Sequence, residues 1–167
     1  MNKKLSIGGG VFVCLFATIL FGCGPSASQI QFRQAVAAMK VCTQNATYAE
    51  FREKRMALET CYTANQAALN HEAIAFAELA RVMDATDILW NQQIQHPDDT
   101  EAGVIAQIIT VGSPAWDAAI TISPEVKNKA GFTYEQREHD PDFYAPNYVR
   151  RGLTRISKQC DELLAVH

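Results

Sequence analysis

Residues 72–95 read EAIAFAELARVMDATDILWNQQIQ, and the spacing of their apolar residues decides the fold. At about 100° per residue from the Phe76 direction, Phe76, Leu79, Ala80, Met83, Trp90 and Ile94 fall in one stripe, the core face of a helix. Ile74, Val82, Ile88 and Leu89 point elsewhere. A helix apolar on more than one side needs neighbours on more than one side, so this segment is expected to be the central helix of an all-α bundle.

Working outward, Phe32, Ala35, Val36, Met39 and Thr43 share one face over about residues 28–45, a first helix with a polar far side. Thr47 and Glu50 have capping-box spacing and open a second helix that carries Phe51, Leu58, Tyr62 and Leu69. A single helix over 48–95 would run about 72 Å at 1.5 Å per residue, too long for one compact domain; a break is expected near Asn70. Beyond the central helix, Asp98 and Glu101 repeat the capping spacing ahead of Ala102, Val104, Ile105, Ile108 and Ile109. Gly112 closes that element. Ser113-Pro114 and Ser123-Pro124 each place an N-cap before Pro at the first helical position, which predicts short helices over 114–122 and 124–129.

The segment 130–145 shows no helical period and is longer than an ordinary connection, so it is either functional or packed down by Phe132, Tyr134, Phe143 and Tyr144. From about Pro146, Val149, Leu153, Ile156, Cys160, Leu163 and Leu164 face Arg150, Arg151, Arg155 and Lys158 across a last amphipathic helix. The expected architecture is a single-domain helical bundle of four to five main helices with short accessory helices.

The N-terminus has a separate grammar. Lys3 and Lys4 precede an apolar run from Leu5 to Leu20 that includes Gly8-Gly9-Gly10, shorter than the roughly 20 residues needed to span a bilayer. Leu20-Phe21-Gly22-Cys23 resembles the lipobox of bacterial lipoproteins. That resemblance implies a signal peptide over 1–22, cleaved before Cys23, and a Cys23 that carries palmitate-type acyl chains. Residues 23–28 are then the lipidated N-terminus and a short tether, and 29–167 the bundle domain. At about 0.8 kcal/mol per buried methylene, two or three chains hold such a protein stably on a membrane. Gly24-Pro25-Ser26-Ala27-Ser28 reaches at most about 17 Å, so the folded part sits close to the bilayer.

Cleavage leaves 145 residues, enough for one domain with a core. Lys3 and Lys4 leave with the signal, so 13 basic residues face 18 acidic ones, a net charge of −5. That balance argues against a nucleic-acid or anionic-lipid binder. Of five cysteines, Cys14 departs and Cys23 is acylated. The hairpin geometry places Cys61 roughly 16 Å further along its helix than the point opposite Cys42, beyond disulfide reach. If a disulfide forms, Cys61–Cys160 is the pair that the core-facing positions favour.

Candidate chemistry is sparse. His139, Asp140 and Asp142 can ligate a metal, with His96, Asp98 and Asp99 as a second source, but neither cluster has the spacing of a zinc or calcium site. Solvated turns explain them better. There is no nucleophile elbow, zincin motif or phosphate loop, no cofactor is expected, and the chain is read as not an enzyme. Between Val82 and Val126 there are seven acidic residues and no Lys or Arg, which balance the basic last helix or form a docking face for a partner. Two charges break the apolar stripes: Asp87 lies about 20° from Phe76 and Arg55 about 40° from Phe51. Both sit at similar distances from the turn near Asn70, which predicts an Arg55–Asp87 ion pair, at least partly buried, that sets helix register.

The function expected is that of a cell-envelope lipoprotein, anchored by its lipid on the extracytoplasmic side. There it acts as a non-enzymatic scaffold or interaction module for an envelope protein partner. The alternative is a ligand-binding envelope lipoprotein with a small-molecule or metal site near the 130–145 loop.

Overall fold

The computed structural model describes residues 26–95, 110–140, 143 and 145–165. The leader with Cys23, the expected helix over 102–109 with its Asp98 and Glu101 cap, and His96 all lie outside the described residues. The protein is an all-α single-domain helical bundle, with no strand among the described residues. Its elements are α1 (Ala27–Asn45), α2 (Tyr48–Asn65), a 3-10 turn (Gln66–Ala68), α3 (Ala73–Gln95), α4 (Pro114–Ile122), a second 3-10 turn (Pro124–Lys129), α5 (Tyr134–Glu138) and α6 (Ala145–Ala165). No described helix is long and apolar enough to cross a membrane.

Local chemistry sets the helix starts. Ser26 Oγ accepts from Gln29 N while Gln29 Oε1 accepts from Ser26 N, and Thr47 and Glu50 make the same reciprocal cap on α2. Ser113 caps α4, with Pro114 at its first position. Gly112 holds φ +83°, a conformation that costs L side chains energy and glycine little. The α2 helix ends at Asn65, four residues before the expected Leu69, because the chain tightens into the 3-10 turn. Leu69 is nonetheless fully buried.

The four long helices form an up-down-up-down bundle. Arg33 Nη2 donates to Leu164 O and Lys40 pairs with Asp161, so α1 and α6 are antiparallel. Arg155 reaches Glu78 while Gly152 abuts Thr86, so α3 and α6 are antiparallel too. The α2 helix packs on α1 and α3, and so does α6, which places α2 and α6 on opposite corners. The α4 helix lies on a third side of α3, meeting the need of that helix for several neighbours.

Aromatic rings close both ends of the core. Phe32, Tyr62 and Phe76 cluster at one, with Tyr62 and Phe76 stacked 3.8 Å apart. At the other, Trp90 lies against Tyr48 and Phe51. Val36, Met39, Leu58, Leu79, Met83, Ile156 and Cys160 fill the space between and are fully buried. Each large apolar side chain contributes about 1.5–3 kcal/mol by leaving water. Ile94, expected in the core stripe, is 48% exposed. Trp90 already packs against Tyr48, the first residue of α2, so one turn further α3 has passed the end of its partner.

Cys42, Cys61 and Cys160 are free thiols, which corrects the Cys61–Cys160 pair. The expectation failed because both residues lean inward but from opposite corners of the bundle, with α1 and α3 between them. Desolvation, with Asp161 adding and Lys40 opposing, pushes the Cys160 thiol up to about 12. An alkylating reagent applied to the native protein is therefore expected to modify Cys42 and Cys61 and to reach Cys160 only after denaturation. Peptide mapping checks this; rapid native labelling of Cys160 would contradict the inward face of α6.

Candidate functional site

Toward the end of the bundle opposite Ser26, the last turns of α1 and α3 and the stretch of α6 from Val149 to Asp161 enclose an open groove of about 690 Å³. Trp90, Val149 and Leu153 form its apolar floor, and Thr43, Gln93, Thr154 and Ser157 give it hydroxyl and amide walls. The floor exists because the apolar face of α6 continues toward its N-terminus past the point where α1 ends. Val149 is nearly buried, whereas Leu153 and Trp90 remain half-exposed. On the rim stand Arg150 and Lys158, both exposed, and Asp161, which pairs with Lys40. Arg150 Nη2 donates to Asn147 Oδ1 at 3.3 Å, and Lys158 lies 3.8 Å from Glu162. The groove can take an apolar side chain on its floor and a neighbouring carboxylate at its basic rim. Half-buried Leu153 and Trp90, each on the apolar stripe of its own helix, were visible in the sequence, but not that the two stripes meet there.

The metal-capable cluster looks different in place. His139 is exposed, Asp140 is committed to Lys129, and Asp142 lies outside the described residues. Among the described residues, no group of three His, Cys, Asp or Glu side chains is arranged to hold a metal ion. The neighbouring chain is packed down by its own side chains. Phe143 is fully buried, Lys129 lies over the Phe132 and Phe143 rings, and Arg137 lies over Trp116 and Phe143. Within the segment read as having no helical period, Thr133 and Gln136 form a capping box that starts α5. At five residues, that helix is too short for hydrophobic periodicity to reveal.

Arg55 and Asp87 meet across α2 and α3, with Nη1 3.0 Å from Oδ2 and side chains 19% and 23% exposed. Arg55 also takes Glu59 through Nε at 2.8 Å and Asp84 through Nη2. One guanidinium thus serves three carboxylates, of which the sequence pattern had pointed to one. Partial desolvation raises the Asp84 carboxyl from its ordinary value although the side chain is 57% exposed; Arg55 opposes this, and Glu59 and Asp87 add to it. Tyr48 is raised as well, by burial and by its hydrogen bond to Asp87. These groups knit the α2/α3 seam.

The basic face of α6 is largely satisfied within the bundle. Arg155 Nη1 donates to the Thr121 and Ile122 carbonyls that end α4, and Arg155 also approaches Glu78 at 3.5 Å. Arg151 bonds Ser123 Oγ at 3.0 Å and lies 3.7 Å from Glu125. Of the acidic residues between Val82 and Val126, Asp84, Asp87 and Glu125 are engaged with arginines. Asp98, Asp99 and Glu101 lie outside the described residues. No family model matches the chain, and no curated protein or solved structure matches it at a significant level.

Proposed function

We propose that this chain is a cell-envelope lipoprotein, anchored through acylated Cys23 on the extracytoplasmic side of a membrane, that works as a non-enzymatic scaffold for an envelope protein partner. The observation that carries the docking role is the groove at the end of the bundle farthest from Ser26, where Trp90, Val149 and Leu153 lie beneath a basic rim. Its charge and shape suit a partner segment with one apolar anchor and an adjacent acidic residue. The lipobox-like junction at Cys23 supports the anchor, and a tether attached at Ser26 leaves the groove facing away from the bilayer.

Cys23→Ser is expected to move the protein from the membrane to the soluble fraction and to abolish the acyl mass on the N-terminal peptide. Unchanged partitioning and mass would refute the anchor. For the docking role, a photo-crosslinker at Gln93 in the native envelope is expected to give a discrete protein adduct. Reversal of the rim with Arg150→Glu and Lys158→Glu should remove it. No adduct, or an adduct indifferent to that reversal, would overturn the docking role; a stoichiometric small molecule or metal ion on the protein in native mass spectrometry would favour instead the alternative, a ligand site near the 130–145 loop.

A further inference from the structure

The second surface concerns the opposite end of the bundle, and it rests on the Cys23 anchor proposed above. The Ser26–Gln29 capping box starts α1 at Ala27, so only Gly24, Pro25 and Ser26 separate Cys23 from the rigid body. Four peptide steps reach at most about 14 Å. An acylated Cys23 therefore holds the start of α1, and everything level with it, against the bilayer.

The Phe32–Tyr62–Phe76 cluster and the Arg33–Leu164 contact identify what is level with it: the end of α2, the 3-10 turn, the start of α3 and, on the far side of α1, the last turn of α6 with exposed Glu162. Here the surface changes character. Thr63, Ala64, Gln66, Ala67, Ala68, Asn70 and His71 are all exposed and carry no Lys, Arg, Asp or Glu side chain. Beside them Ile74 is 88% exposed, the highest of the large apolar side chains among the described residues, and Ile30 on α1 is 45% exposed. A bare isoleucine beside a run of small and amide side chains has little reason to face water. It suits the boundary between headgroups and acyl chains, where apolar groups gain burial and amides keep hydrogen-bond partners. None of the exposed residues around Ile74 from Thr63 to His71 is a Lys or Arg, and Arg33 at this end donates to Leu164 O, so the contact does not depend on anionic lipid.

We infer that this end, with Ile74 as its deepest side chain, seats directly on the bilayer surface, so that the bundle stands on end. The bilayer is favoured over a second copy of the chain because the tether brings lipid to this end regardless of protein concentration.

The test uses full-length protein expressed and processed in its envelope, in a Cys42→Ser, Cys61→Ser background that leaves buried Cys160 in place. Nitroxide labels are attached at Ile74→Cys, and at Met56→Cys and Val41→Cys as comparisons. Met56 and Val41 are 61% and 68% exposed on the flanks of the bundle. Residue 41 is about 16 Å further along α1 than residue 30 at 1.5 Å per residue. At 74, the expected result is a loss of collisions with a water-soluble relaxer and a gain with oxygen, while 41 and 56 stay water-accessible. Protection at all three positions would mean that the bundle lies on its side and would overturn the inference. So would protection at 74 from both reagents, which marks a protein contact. Full water access at 74 with Cys23 shown to be acylated would overturn the seating and leave the anchor standing. An unmodified Cys23 peptide would remove both.

Discussion

Replacing Gly152 with alanine is expected to destabilise the protein by about 2–3 kcal/mol, at the upper end of what overpacking a tight core costs. By propensity alone the change should help, because alanine in a helix interior is favoured over glycine by about 1 kcal/mol. Geometry reverses the sign. A Cβ at residue 152 would stand 2.2 Å from Thr86 Oγ1 and 3.1 Å from both Thr86 Cβ and Cγ2. Thr86 has no room to yield: it is fully buried, and its hydroxyl donates to Val82 O one turn back on α3. The α3 and α6 helices must move apart, or Thr86 must give up its rotamer and that hydrogen bond. Urea denaturation checks the loss as a fall in midpoint at constant slope. Pairing Gly152→Ala with Thr86→Ala removes Oγ1 and Cγ2 and should recover about half or more of the loss, a coupling expected of residues in direct contact. A single variant as stable as the wild type would mean that α3 and α6 do not approach this closely.

That contact shows where reading the residues stops. The glycine interrupts the amphipathic pattern of α6 with no sign of its role, because periodicity says which side of a helix is apolar and not which neighbour it meets. For the same reason Cys61 and Cys160 could both be placed facing inward while standing on opposite corners of the bundle. Features written into short spans were legible: the Thr47–Glu50 box, the Ser113-Pro114 start, and the central stripe from Phe76 through Leu79 and Met83 to Trp90. The heights of Arg55 and Asp87 above one turn were legible too, since rise per residue alone sets them. Ile94 departs from its stripe because the sequence does not say where a partner helix ends. The groove over Trp90, Val149 and Leu153 was hidden because three separate helices must be assembled before its floor exists.

Arg55→Ala is expected to cost about 2–3 kcal/mol, between the small worth of exposed ion pairs and the larger cost of breaking a buried one. The pair lies between those limits: Arg55 and Asp87 are 19% and 23% exposed. The loss should exceed that of one bridge because truncation leaves Glu59, Asp84 and Asp87 facing one another, with Arg52 Nε 3.9 Å from Asp87 as the remaining ion-pair contact among the described residues. The pH dependence carries the diagnostic sign. Burial already raises Asp84 with Arg55 opposing, and removal of Arg55 must push that carboxyl further up. An acid whose folded value is raised favours the folded state while protonated and loses that contribution as pH rises through the folded value. The deficit of the variant should therefore be largest at neutral pH and shrink as the solution is taken toward about pH 4, near the ordinary carboxylate range. Arg55→Lys should retain only part of the wild-type stability, since one ammonium cannot reproduce three separate N–H contacts to three carboxylates. Replacing Arg55 and Asp87 together with leucine should cost less than Arg55→Ala alone, because Asp87, the least exposed of the three carboxylates, is then not left without its counterpart, while Glu59 and Asp84 lose theirs where 36% and 57% exposure lets water take its place. Stability curves from pH 4 to 7 for these variants, with a double-mutant cycle on Arg55 and Asp87, measure the coupling directly. A deficit independent of pH together with zero coupling would show that the α2/α3 seam is held by its aromatic ends alone.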